Sequence, residues 1–284
     1  MELLIRRSGR VRVVNNRQKL KYVLIATAVF LLVIAVAGAT IPAEYYGVNY
    51  DQRSLPPEAG HLFGTDYMGR DMFFRTLCGL STSIAIGLTA AFFSSLVALV
   101  LGTASAVFGG YIDKSITWLV DLCMGIPHMV LLILISVLLG GGIKGVVVGV
   151  VVTHWPSLTR VIRAEVMQIR SSQYVLAAGK MGVSNWDIAA GHILPHVVPQ
   201  YIVGLILLFP HAILHEAGIT FLGYGLPLDT PAVGVILSEA MRHLATGMWW
   251  LAVFPGLALL GVVLLFDYIG ERLRLLIDPA GAQE

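Results

Sequence analysis

The sequence predicts an all-α integral membrane protein with six transmembrane helices, and two observations carry this prediction. The first is composition, since 57% of the 284 residues are hydrophobic and only 13% are charged, whereas soluble domains carry about 25% charged residues. The second is the length of the uncharged runs, because a hydrocarbon core about 30 Å thick needs about 20 apolar residues in a helix. A soluble globular protein is therefore excluded.

Six apolar runs have the required length. They lie at roughly 22–41, 82–108, 117–139, 143–159, 198–222 and 247–269. In the fourth run, Trp155 and Pro156 predict a kink near a membrane interface. The remaining residues then form a basic N-terminus (1–21), an external loop (42–81) and a C-terminal tail (271–284), with residues 82–270 as a five-helix core.

The placement of lysine and arginine predicts the orientation. The basic residues before the first span are Arg6, Arg7, Arg10, Arg12, Arg17, Lys19 and Lys21, and those in the 160–197 region are Arg160, Arg163, Arg170 and Lys180. Cytoplasmic segments carry such an excess, so both termini are expected in the cytoplasm of a prokaryotic cell. A cleaved secretory signal is the alternative, but the run at 22–41 exceeds the usual core of about 7–15 residues.

Several other function classes find no support in the sequence. Cys78 and Cys123 lie in or beside apolar runs and are expected to be free thiols. The stretch GGGIKG at 140–145 lacks the hydroxyl residue and the strand-to-helix context of a phosphate-binding loop. We therefore expect no cofactor bound by this chain and no nucleic-acid partner.

The polar stretch between the fourth and fifth runs, residues 173–194, predicts two short helices outside the bilayer. Ala177, Ala178 and Met181 recur at helical spacing on one small face. Gly182 then ends the first helix, and Ser184 with Asp187 can cap the second.

Ile188, Ala189 and His192 give the second of these helices an apolar side, and Pro195 is expected to end it. A simple amphipathic loop lying on the lipid headgroups is the alternative.

The 173–194 segment resembles the "EAA" loop of the membrane subunits of ATP-binding-cassette (ABC) importers. The matching residues are Leu176-Ala177-Ala178, Gly182 and His192-Ile193-Leu194-Pro195. Leu176 stands where that pattern has Glu. The resemblance implies that Ala177, Ala178, Gly182, Ser184, Asp187, His192 and Pro195 belong to helices that dock into an ATPase subunit.

Three further stretches resemble the dipeptide, oligopeptide and nickel branch of these permeases. They are HLFGTDYMGRDMFFRTLCGLSTSI (61–84), FGGYIDKSITWLVDLCMGIP (108–127) and HEAGITFLGYG (215–225). The resemblance extends from about residue 20 to Asp278-Pro279 and is closest to the second permease subunit of the branch.

This resemblance implies the type I ABC importer fold and a set of partners. These are a homologous second permease, two ATPase subunits that bind ATP and Mg²⁺, an extracytoplasmic substrate-binding protein and membrane lipid. The chain itself is then a transport subunit without catalysis.

Polar residues in the fifth run are candidates for contact with the cargo, because such groups inside a span usually face protein or a water-filled path. His211 and His215 are four residues apart, on one helical face, and neutral imidazole is a favoured ligand for nickel, copper and zinc. Glu216 adjoins them. The alternative is that both histidines only hydrogen-bond to neighbouring helices. His128 and His154, near other span ends, are not included in the predicted site.

Nickel-type members of the branch resemble this chain in having histidines here and in lacking the Glu that Leu176 replaces. The resemblance thus favours nickel or a nickel chelate as cargo, with a dipeptide or oligopeptide as the alternative. An intramembrane zinc protease is disfavoured because Glu216 follows both histidines instead of lying between them. An ATP-independent secondary transporter is a further alternative.

A last short helix is predicted between the fifth and sixth runs. The apolar residues Val233, Ile236, Leu237, Ala240, Met241 and Leu244 recur at helical spacing, with Ser238, Glu239 and Arg242 opposite. We expect an interfacial helix, followed by Trp249 and Trp250 as headgroup anchors. The resemblance to importers implies that a binding protein docks on these outer loops; the alternative is a helix that only closes the outer mouth.

Overall fold

The structure is a computed structural model that describes residues 16–277, and it confirms the all-α class. Within that range the chain forms helices and loops without a β-strand. The α-helices in chain order are α1 (Asn16–Thr40), α2 (Met72–Phe108), α3 (Gly110–Gly125), α4 (His128–Leu138), α5 (Gly142–Arg170), α6 (Gln173–Lys180), α7 (Asn185–Ile188), α8 (Leu194–Phe221), α9 (Val233–Met241) and α10 (Trp250–Ile277). The basic residues before Asn16 and the Asp278-Pro279 pair lie outside the described range.

Five helices, α1, α2, α5, α8 and α10, are each long and apolar enough to cross a membrane. Helices α3 and α4 together are also long and apolar enough for a sixth crossing, but they are bent by 94° at the break between them. The prediction of a single helix over 117–139 is therefore wrong. Pro127 explains the break, since its ring disfavours a helical conformation at Ile126, whose backbone is extended.

Two predicted boundaries also change. The second helix begins at Met72 instead of 82, because Asp71 caps it by accepting hydrogen bonds from the backbone N–H groups of Phe73 and Phe74. The fourth predicted span corresponds to α5, and this helix does not end near 159 but continues through Pro156 to Arg170. Thr153 and Thr159 lie on either side of that proline, and the hydroxyl of each donates to the backbone carbonyl four residues earlier. These bonds support the helical backbone there.

The helices alternate in direction and so define two ends of the bundle. The α9 end contains residues 41–71, the α4–α5 turn and residues 222–249. There the N–H of Gly142 donates to the carbonyl of Gly225 at 2.9 Å. The α6 end contains the α2–α3 turn and the 173–194 segment, where Arg170 donates to the carbonyl of Ala106 at 2.6 Å.

Two apolar clusters hold the bundle together. The larger one joins α2, α4, α5, α8 and α10 around fully buried Leu132, Val150 and Phe209. The second lies toward the α6 end and contains Ile162 and Ile193. Helix α1 packs on the outside by close backbone approach, since a Cβ at Gly38 would lie only 2.2 Å from the carbonyl oxygen of Leu77.

Candidate functional site

A cavity of about 650 Å³ lies between α4, α5, α8 and the α3–α4 break. Its walls include four histidines, His128, His154, His211 and His215. His154 lies twelve residues into α5, which places the cavity about 18 Å along that helix and near the middle of the bundle. The described residues that line this cavity include no Asp, Glu, Lys or Arg.

Three of the four rings meet one another. The centroid of the His128 ring is 4.6 Å from that of His154 and 4.5 Å from that of His215, and the latter two centroids are 4.9 Å apart. One nitrogen from each ring lies within 4.8 Å of the other two. The three side chains come from α4, α5 and α8, so tertiary structure alone brings them together.

The backbone fixes the orientation of two of these rings. Nδ1 of His215 lies 2.7 Å from the carbonyl oxygen of His211, and Nδ1 of His154 lies 3.0 Å from that of Val150. Thr153 adds a contact of 3.1 Å to the same His154 nitrogen. Because a carbonyl can only accept, Nδ1 is the protonated nitrogen in both rings and Nε2 carries the lone pair.

The two histidines of the predicted pair, His211 and His215, therefore occupy different positions in the cavity. Both line the cavity, but His211 is exposed, and only His215 belongs to the group of three rings. Glu216 does not face the cavity. It is fully buried on another side of α8, where Thr220 donates to its Oε1 at 3.2 Å.

The sequence does not place His128 and His154 in the predicted site, for a geometric reason. A spacing of four residues reveals contacts along one helix, whereas these two rings meet only because the chain breaks before His128. One local signal was present in the sequence. His128 follows Pro127, and His154 precedes Pro156 by two residues, and prolines within a span mark irregular backbone beside protein or water.

The 173–194 segment forms two short helices, α6 and α7, joined at Gly182 as the spacing predicts. Gly182 has φ +84°, a left-handed conformation that favours glycine. The hydroxyl of Ser184 accepts from the N–H of Asp187 at 3.2 Å and donates to its carboxylate at 2.6 Å. This is the predicted capping arrangement.

Two details of this segment differ from the prediction. Ala177 and Met181 are exposed, but Ala178 is buried in the second apolar cluster, so the three do not share a face. Pro195 does not end the second helix. A π-helical turn at Ala189–Ile193 leads directly into α8, and Pro195 occupies the first turn of α8, where no backbone N–H is needed.

The segment is anchored on one side and apolar on the other. Val175 and Ile188 are buried, and His192 is half-buried. Leu176, Met181 and Trp186 are 53%, 77% and 71% exposed. Large exposed apolar side chains on a protruding pair of helices are typical of a protein-binding surface.

The α9 end is held by a network of four charged side chains. Glu239 of α9 accepts from Arg70 at 2.9 Å and from Arg75 at 2.6 Å, and Asp66 contacts the same two arginines at 2.5 and 3.3 Å. Burial lowers the pKa of Arg70, but Asp66 and Glu239 outweigh it and raise that pKa above its ordinary value. The network ties the 41–71 loop to α9.

The prediction of an interfacial helix with an exposed polar face is therefore corrected. α9 forms as expected, but Glu239 faces the arginines and Met241 is 54% exposed. Trp250 is not a headgroup anchor either. It is 8% exposed, and its indole N–H donates to the carbonyl of Thr65 at 3.1 Å.

Known proteins are similar to this chain in sequence and in fold. The family model of the binding-protein-dependent transport system inner membrane component matches residues 98–279. The dipeptide transport system permease protein DppC of Bacillus subtilis (strain 168) is 32% identical, over 88% of this chain and 78% of that protein. The nickel transport system permease protein NikC of Escherichia coli (strain K12) is 29% identical, over 93% and 95%.

Solved structures of the MetNI methionine ABC transporter in inward-facing conformations include a chain that matches the fold. The TM-score is 0.60 with 18% identity, over 72% of this chain and 97% of that chain. The protein is thus a multi-pass membrane subunit with the permease fold of type I ABC importers. It belongs to the family of binding-protein-dependent transport system inner membrane components, among relatives named as peptide and nickel permeases. This membership does not favour an ATP-independent secondary transporter.

Proposed function

We propose that this chain lines half of the translocation path of an ATP-driven nickel importer. A homologous second permease completes the path, an extracytoplasmic binding protein delivers the ion or its chelate, and two ATPase subunits bind ATP and Mg²⁺. The observation that supports nickel is the cavity in the middle of the bundle, which presents four imidazoles and no charged side chain. Imidazole is a preferred ligand of nickel.

The proposed orientation places the α6 end in the cytoplasm. Arg160, Arg163, Arg170 and Lys180 lie toward that end, as expected for a cytoplasmic surface. The α9 end then faces outward, toward the binding protein. Both termini are cytoplasmic, and the chain resides in the inner or plasma membrane.

Coupling to ATP is proposed to run through α6 and α7. The exposed side chains of Leu176, Met181 and Trp186 enter a groove on the ATPase. When ATP closes the ATPase pair, the 173–194 segment moves with it. The π-helical turn at Ala189–Ile193 continues into α8 without a loop, so this motion reaches the helix that carries His215.

Import of a dipeptide is the second candidate. Its support is that the peptide permeases among the relatives are 31% to 34% identical, against 29% for the nickel permease. A zwitterionic peptide, however, needs partners for its two charged ends, and the described residues that line the cavity include no oppositely charged side chain for either end.

The deciding experiment is uptake of radioactive nickel by cells that express this chain with its partner subunits, with and without excess dipeptide. We expect ATP-dependent nickel uptake that ignores the dipeptide. In a matched pair of variants, His215→Gln abolishes it and His196→Gln does not. His196 makes the same bond to the carbonyl four residues earlier, at 2.8 Å, but lies outside the cavity. Uptake of labelled dipeptide without nickel uptake would overturn the cargo and keep the importer.

A further inference from the structure

We infer that His128, His154 and His215 form a binding site for a bare divalent cation of the nickel, cobalt, copper and zinc group, coordinated through the three Nε2 atoms. The ion would thus leave any chelate and bind this one chain directly. The inference rests on the proposed nickel cargo for its place in transport. The site itself is defined by side chains of this chain alone.

The hydrogen bonds described above prepare the rings for metal binding. In metal sites, a ligating histidine usually donates its other N–H to a carbonyl or carboxylate, which fixes the tautomer and the ring orientation. His154 and His215 already make that bond, to the carbonyls of Val150 and His211. Their Nε2 lone pairs are therefore available without a change of tautomer.

Two of the three Nε2 atoms are buried without a hydrogen-bond partner. They are Nε2 of His128 and Nε2 of His154. A buried polar atom without a partner costs stability because it has lost its hydrogen bond to water, so such atoms are rare in folded proteins. Here two such atoms belong to one group of three rings. A cation bound between the rings removes both costs at once.

The geometry suits an open site. Four-coordinate metals bind imidazole nitrogen at about 2.0–2.1 Å, which puts tetrahedral ligand atoms about 3.3 Å apart. The three nitrogens here lie within 4.8 Å of one another. His128 is the first residue of α4, directly after the α3–α4 break, so no preceding helical turn restricts its side-chain rotamer. A change of that rotamer is the movement that would close the remaining distance. Three protein ligands leave at least one position for water or a departing ligand.

The ligand set also determines which ions bind. Mg²⁺ and Ca²⁺ require oxygen ligands, mainly carboxylates, and the residues lining the cavity supply no carboxylate. Three neutral imidazoles select the later first-row divalent metals. Without an anionic ligand the site does not neutralise the ion, which favours the exchange that a transporter needs.

The alternative is that the rings simply pack together. All three pairs are close to perpendicular, with interplanar angles of 71° to 82°, an arrangement that aromatic rings also adopt for its own sake. Ring packing alone makes a clear prediction, namely that a metal ion does not bind in a saturable way.

The test is Co²⁺ titration of the full chain in lipid nanodiscs, alone and with its co-purifying subunits, without ATP. Co²⁺ reports its coordination by visible absorption, and Ni²⁺ is then added as a competitor. We expect saturable binding with the intense absorption of a four- or five-coordinate ion. Ni²⁺ displaces the Co²⁺, whereas a large excess of Mg²⁺ does not.

Three variants show whether the measured Co²⁺ binding occurs at this site. His154→Gln and His215→Gln are each expected to weaken Co²⁺ binding at least about tenfold, and His196→Gln to leave it unchanged. If the variant at the buried His154 does not fold, His215→Gln still tests the site, because His215 is only half-buried. Binding that is absent, or that both cavity variants leave unchanged, overturns the site. Binding that depends on the histidines without any nickel uptake keeps the site and overturns the proposed cargo.

Discussion

Arg163 of α5 holds Asp113 of α3 through both atoms of its fork, with Nε 2.6 Å from Oδ1 and Nη2 2.7 Å from Oδ2. Ser105 of α2 also donates to Asp113 and accepts from Arg163 at 3.1 Å. Three helices therefore meet at one carboxylate near the α6 end. Bidentate pairs of this kind are the strong form of the ion pair because they combine charge with fixed geometry.

Replacing this carboxylate is expected to loosen α3. Asp113→Asn keeps the shape but removes the charge, and we expect it to destabilise the protein by about 1–2 kcal/mol. The measurement is thermal unfolding in detergent followed by tryptophan fluorescence.

The matched control is Asp121→Asn in the same helix. Asp121 pairs with Arg160 at 2.5 Å, but the two side chains are 58% and 51% exposed, and exposed pairs contribute about 0–1 kcal/mol. Equal unfolding temperatures for the two variants would refute the special role of Asp113.

The turn at Gly182 gives a graded test of coupling to the ATPase. No atom lies within 4 Å of a Cβ built there, so the constraint is the backbone at φ +84° and not space. A left-handed conformation costs a residue with a Cβ about 1–2 kcal/mol, and Asn tolerates it better than Ala. We expect cargo-stimulated ATP hydrolysis to fall in the order wild type, Gly182→Asn, Gly182→Ala, with Ala reducing it about tenfold.

Gly191→Ala is the control for that series. Gly191 also has open space around it, lies in the same segment and does not have a positive φ. Its substitution is expected to leave stimulated hydrolysis within about twofold, since only the backbone strain is being tested. A loss of activity in Gly191→Ala equal to that in Gly182→Ala would show that the turn conformation is not the cause.

The charge network at the α9 end predicts that the loss of the Glu239 charge lowers the stability of the protein substantially. Glu239→Gln leaves two guanidinium groups, 15% and 5% exposed, with Asp66 as their remaining carboxylate. Breaking a buried pair costs about 3–5 kcal/mol, so we expect the unfolding temperature to fall by about 5–10 °C.

Glu44→Gln is the matched control at the same end of the bundle. Glu44 is exposed and makes no ion pair in the described part of the chain. We expect its unfolding temperature to stay within about 1 °C of the wild type. If Glu239→Gln behaves in the same way, the network does not hold the 41–71 loop in place.

The sequence predicted the class, five of the six crossings and the two short helices at Gly182 because each depends on local information. Run length defines a span, and the residue types at Gly182 and Ser184 define a turn and a cap. The type I ABC importer fold was predicted from several motifs that occur in the same order as in known permeases.

What the sequence did not predict depends on contacts between distant segments. His128 and His154 joined His215 only because α3 and α4 meet at 94°. Glu239 looked like part of a solvated face, since helical periodicity cannot show that Arg70 and Arg75 cover it. Ala178 was misassigned for the same reason, because its burial is provided by a neighbouring helix.

The break between α3 and α4 has a consequence for hydration. A helix that ends inside a membrane leaves its last carbonyl groups without internal partners, and such groups are tolerated only beside protein or in a water-filled space. Gly125, Ile126 and Pro127 at the break line the histidine cavity. Residues that carry such carbonyl groups therefore line a space that is large enough to hold water. On the proposed transport path, the break would thus surround the cargo with polar backbone as well as with the histidine rings.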